Sequence, residues 1–210
     1  MTQIVMRFVA AGLVSACLAT AACSSVKDGS ATPAPSSAPS SGNASADPNV
    51  PKVKTPLDAS KYVGDPCKLV PDVLISSLGY PDPGKFHPAD NTPLGQAGPG
   101  CYWIASDARS VQMTLGTVSR ERGAGGLAGF YRSHAAGVLP FLEPAPDVDG
   151  YPAVYIDIRD RRSSGSCHIS VGIADDLEFA VATQGYQGEQ DSCGAVQQVA
   201  GAVIKTLKGA

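Results

Sequence analysis

Residues 166–183 read SCHISVGIADDLEFAVAT, and the fold follows from how that string alternates. Cys167, Ile169, Val171 and Ile173 take every second position, interleaved with His168, Ser170, Gly172 and Ala174. Asp175-Asp176 interrupts the pattern, which resumes as Leu177, Phe179 and Val181. Period-two alternation on both sides of a short acidic turn predicts an antiparallel hairpin with one apolar and one wetter face. From Asp191 onward, Val196, Val199, Ala200, Val203 and Leu207 recur at helical spacing, with Cys193 one turn before Val196 on the same stripe. Hairpin and helix can therefore bury their apolar faces against each other, with Cys167 and Cys193 both turned inward.

Working outward, Val154, Ile156 and Ile158 alternate with Tyr155, Asp157 and Arg159, which predicts a strand after the turn at Gly150-Tyr151-Pro152. Cys101 and Trp103 against Tyr102 and Ile104 predict another, and Val111, Met113 and Leu115 against Gln112 and Thr114 a third. Short helices are expected over 73–78, with Pro71 before it and Gly79 after it, and over 127–136, where Leu127, Phe130, Tyr131 and His134 are helically spaced. Residues 81–100 read as a long Pro- and Gly-rich loop, and 140–146 as irregular. The order helix, two strands, helix, three strands, helix predicts an α+β domain over 57–210: an antiparallel sheet of about five strands with helices packed on one face. The four body cysteines allow three pairings. Cys67 with Cys101 and Cys167 with Cys193 is favoured, because each bond ties a terminal helix to a strand whose apolar face it covers.

The amino-terminal part has a different character. Arg7, the apolar run 8–18 and the small residues before Cys23 predict an export signal over 1–22 that is too short to span a membrane. Cys23-Ser24-Ser25 resembles a bacterial lipoprotein processing site, although Thr20 stands where Leu is usual. Cys17 is the alternative processing site, and plain secretory cleavage near Ala22 the other. Residues 23–56 are rich in Ser, Ala and Pro and predict a disordered tether reaching roughly 30 Å. With a net charge of −3 and no run of Lys or Arg, the chain offers no electrostatic case for nucleic acid. An exported setting would make two disulfides from the four body cysteines the expected outcome.

Several of these pieces occur together in one family. The start at Cys23, the low-complexity tether, Asp65-Pro66-Cys67 before a short helix ending in Leu78-Gly79, Gly100-Cys101-Tyr102-Trp103, Gly150-Tyr151-Pro152-Ala153, Cys167, and Asp191-Ser192-Cys193 before an apolar helix resemble the actinobacterial lipoproteins grouped as domain of unknown function 3558. The resemblance spans roughly 57–207. It implies a disulfide-bonded domain in the cell envelope and carries no catalytic residues.

Among candidate sites, His168 falls on the wetter face of the hairpin with Ser170, Glu178 and Gln184, and with Tyr155, Asp157 and Arg159 if the strands are neighbours. A carboxylate beside it could form an acid–base pair. The plainer reading is a solvated sheet face with ordinary cross-strand pairs. Small residues at Gly172, Ala180 and Ala182 beside Tyr102, Tyr155 and His168 make that face a shallow surface for a ligand or partner. His87, His134 and His168 lack metal-ligand spacing, Ser166 lacks the Gly-x-Ser-x-Gly context, and Gly123, Gly125 and Gly126 lack a phosphate-loop context. No metal, cofactor or catalytic residue is expected. The function expected is that of a lipid-anchored protein at the outer face of the cytoplasmic membrane that binds an envelope protein, glycan or lipid. A carrier of a small apolar molecule and an extracytoplasmic hydrolase are the alternatives.

Overall fold

The computed structural model describes residues 48–209. The signal segment, Cys17, Cys23 and most of the expected tether lie outside the described residues. Within them the chain forms a seven-stranded antiparallel sheet and four α-helices. The strands are β1 (Lys85–His87), β2 (Gly100–Ile104), β3 (Ser110–Leu115), β4 (Phe141–Val148), β5 (Tyr151–Asp157), β6 (Cys167–Ala174) and β7 (Leu177–Gln184). They lie in the order β1-β2-β3-β7-β6-β5-β4. The helices are α1 (Asp72–Ser77), α2 (Thr117–Glu121), α3 (Gly126–Ala135) and α4 (Glu189–Lys208).

The hairpin stands at the centre of this order. Its register pairs Cys167 with Thr183, Ile169 with Val181 and Val171 with Phe179, so the apolar sets of both strands share one face. Helix α4 covers that face and buries Cys193, Val196, Val199, Ala200, Val203 and Ile204 against it. Glu189 and Asp191 in its first turn and Lys205 and Lys208 in its last suit the helix dipole, and Gly209 ends it in the left-handed conformation (φ 77°). Disulfides join Cys167 to Cys193 and Cys67 to Cys101. The first fastens α4 to β6, and the second fastens the short helical turn Pro66–Leu69 to β2.

Three expectations are corrected. The sheet has seven strands rather than about five, because β1 falls inside the presumed loop and β4 inside the presumed irregular stretch. β1 has only three residues, too few to show a period. β4 carries Pro144 and Pro146, which break a strand pattern in sequence but are tolerated at a sheet edge, where β4 lies.

The helices do not all gather on one face. Leu127 of α3 packs with Val154 and Ile156 in a second, smaller core, joined by Phe130, Tyr131 and Leu142. That core lies on the opposite side of the sheet, because Val154 pairs with Ser170. There Leu127 and Val53 close over Gly172, where a Cβ would lie 3.2 Å and 3.3 Å from them. Val53 precedes the expected start of the body at Leu57; its amide donates to Asp175 Oδ1 at 3.2 Å, and that of Leu57 to the Ile173 carbonyl at 2.8 Å.

The third correction concerns Tyr155. It pairs with Ile169, not with the His168 row, and so faces α4, where its hydroxyl accepts a hydrogen bond from Gln197 Nε2 at 3.2 Å. Both faces of β5 are covered, so the more apolar set, Val154 and Ile156, did not mark the face that carries the main core.

Candidate functional site

The face of the sheet turned away from α4 is organised in cross-strand rows. Tyr102, Gln112, Ala182 and His168 form one, and Gly100, Thr114, Ala180 and Ser170 the next. Because Ala180 and Ala182 are small, β7 lies at the bottom of a trough, whose floor runs from Gln184 to Glu178, about 20 Å of strand. The loop containing Leu94 and Gln96 borders it, as does Phe130 of α3. Arg161, Ser166 and His168 stand at one end, and Gly116, Ser119 and Glu178 at the other. The hollow is open to one side and has a volume of about 340 Å³.

Each end holds an unusual ionisable group. Glu178 is 3% exposed, and its Oε2 accepts the backbone N–H of Gly126 at the start of α3. Burial pushes its carboxyl up to about 7, against the pull of that N–H and with help from nearby Asp176. Gly116 makes room for it, since any Cβ there would collide with the Glu178 carboxylate. His168 is half-buried, and enclosure by protein pushes its imidazole down to about 4, so the ring is neutral at physiological pH. Asp157 draws that value back up, while Arg161 depresses it further.

These groups do not assemble an acid–base pair. His168 lies opposite Ala182, four residues along β7 from Glu178, which corresponds to about 13 Å. Asp157 is engaged elsewhere. Its carboxylate accepts from Arg161 at 2.9 Å and from the Ile158 amide at 2.7 Å. The trough thus presents polar atoms on its sheet floor, with His168 set apart from both Glu178 and the engaged Asp157.

Of the three residues expected to form a binding face, the structure brings His168 to the trough, sets Tyr102 in the same row but outside the lining, and removes Tyr155 to the other side of the sheet. Sequence reasoning missed Gln96, Phe130 and Arg161. Phe130 reads as core by its helical spacing, and no period reports on a loop residue such as Gln96. Gln112 was legible, since β3 alternates polar with apolar.

A larger hollow of about 780 Å³ lies beside α4 but is shallow, and its one cation is committed. Arg109 bonds Asp107 at 2.8 Å and stacks over Tyr80 and Tyr186, whose hydroxyls are 2.8 Å apart. That cluster ties the end of α1 to the loop before α4. Among the described residues no group of three or more His, Cys, Asp or Glu side chains could hold a metal, and no helix is long and apolar enough to cross a membrane.

A family model described as "Protein of unknown function (DUF3558)" matches residues 18–206. Comparison with curated proteins and with solved structures gave no match.

Proposed function

The chain belongs to the DUF3558 family, and from that premise we propose that it is an exported protein of an actinobacterial envelope, lipid-anchored through Cys23, whose folded body is a non-catalytic binding module. The observation that carries the binding role is the trough itself: an open volume of about 340 Å³ on a rigid sheet, floored by alanines and edged by polar side chains that do not saturate one another. Two disulfides support an oxidising, extracytoplasmic location. Two acyl chains on Cys23 would hold the protein stably at the outer face of the cytoplasmic membrane. A carried molecule would lie in the trough, since the space between sheet and α4 is filled by side chains such as Met113, Ile169 and Phe179, all at 0% exposure.

Native mass spectrometry of the full-length protein, extracted in mild detergent from its own host, tests both halves. The expected mature mass begins at Cys23, carries acyl chains and retains a non-covalent companion. A mature chain without acylation would remove the anchor. An acylated chain whose companion is unaffected by Ala182→Trp would remove the trough as the binding site.

A further inference from the structure

The hydrogen-bonding inventory of the trough selects a class of ligand. Resting on the reading above that the trough is a binding site, we propose that it receives a neutral oligosaccharide laid along β7 between Leu94 and Phe130.

The strong charges at the trough are committed within the protein. Arg161 contacts Asp157 through Nε at 3.0 Å and through its terminal nitrogen at 2.9 Å. Glu178 is buried and receives the Gly126 amide. His168 is uncharged at neutral pH. A phosphate or carboxylate entering here would lose water without gaining a free cation, which is unfavourable.

The uncommitted groups are of a different kind. The side chains of Gln96, Gln184, Ser119, Ser166 and His168 line the trough and make no hydrogen bond with one another. Gln112 uses one N–H on Thr114 at 3.1 Å and keeps its carbonyl and second N–H. Each of these groups can both donate and accept, which is what a ring of sugar hydroxyls requires. The remaining lining, Leu94, Phe130, Ala180 and Ala182, offers apolar surface for the C–H faces of a pyranose.

Peptide and lipid fit less well. The backbone groups of β7 are already spent on β3 and β6, so an extended peptide would find no free sheet edge on this floor. An acyl chain would lie across Gln112, Thr114 and Gln184 and leave their polar atoms unsatisfied.

The test is ¹H–¹⁵N NMR of the full chain, titrated with neutral oligosaccharides of differing linkage and, in parallel, with tri-galacturonate. At least one neutral sugar is expected to shift the amides of Gln112, Ala180, Ala182 and Gln184 saturably. Gln112→Ala is expected to weaken that binding by about fivefold to tenfold without changing the melting temperature. Saturable trough shifts with tri-galacturonate alone would overturn the neutral-sugar assignment and leave the binding site standing. No trough shift with any sugar would also overturn the assignment, and the fate of the native companion in Ala182→Trp then judges the site separately.

Discussion

At the scale of single residues, Glu178 and His168 make opposing contributions to stability. Burial raises the Glu178 carboxyl from its ordinary 4.5 to about 7. Between those values the folded chain holds a proton that the unfolded chain has released, so its contribution falls as pH rises and levels off above about 7. The imidazole of His168 moves the other way, from 6.5 to about 4. Between those values the unfolded chain binds a proton that the folded chain excludes, so stability falls as pH drops. Each effect is on the order of 3 kcal/mol, with His168 contributing less because the trough leaves it partly wetted. The two slopes oppose each other between pH 4.5 and 6.5, and the parent protein should be nearly flat there. Denaturant midpoints check this. Glu178→Gln is expected to unmask a midpoint that climbs with pH across that window, and His168→Gln one that declines. A Glu178→Gln midpoint that declines with pH would show that another group holds the raised proton affinity.

At the scale of elements, a disulfide fastens α4 to β6 at the centre of the sheet. The Cys167–Cys193 bridge closes a loop of sequence separation 26, worth about 3 to 4 kcal/mol by loop-closure entropy. Cys167→Ser should therefore lower the melting temperature by about 10 °C under oxidising conditions. Equal melting of the parent with and without reductant would contradict that. The turn between β4 and β5 makes a second demand. Asp149 (φ 49°) and Gly150 (φ 87°) are both left-handed, as a two-residue type I′ turn requires. Gly150→Val is expected to cost about 1–3 kcal/mol in chemical denaturation, with an unchanged m-value.

The same turn shows where the sequence could have been read further. Asp-Gly between Val148 and Tyr151 is a strong hairpin signal, yet Pro144 and Pro146 obscured the strand before it. The central hairpin, α4, β2, β3, β5 and α3 were legible because each shows a period, and the disulfide pairing followed from the faces those periods define. The face of Tyr155 was not legible, because a strand covered on both sides does not announce which cover is larger. Part of the trough floor was readable, namely His168, Ala180 and Ala182 on one face of the hairpin. The border supplied by residues 93–97 depends on a loop path that no local pattern encodes.

At the scale of the whole molecule, one sheet serves two purposes on its two faces. The face under α4 carries the main core, including Ile169, Phe179, Val181, Val196 and Val199, all at 0% exposure. The opposite face combines the small core below α3 with the trough. Filling the trough should therefore leave the fold intact. Ala182 is half-buried, and Ala182→Trp is expected to abolish binding while shifting the melting temperature by only about 2 °C. Collapse of the fold in that variant, read by circular dichroism and differential scanning calorimetry, would show that the two faces are not independent.

The route by which the chain enters the body has a mechanical consequence. Val53 lies beside Gly172, its amide bonds Asp175, and Leu57 is bonded to the end of β6. Neither attachment is covalently reinforced, whereas the two disulfides lie farther along the chain. A pull arriving from the amino-terminal side would therefore peel Val53 and Leu57 from the end of β6 first, before it loaded the cross-linked centre.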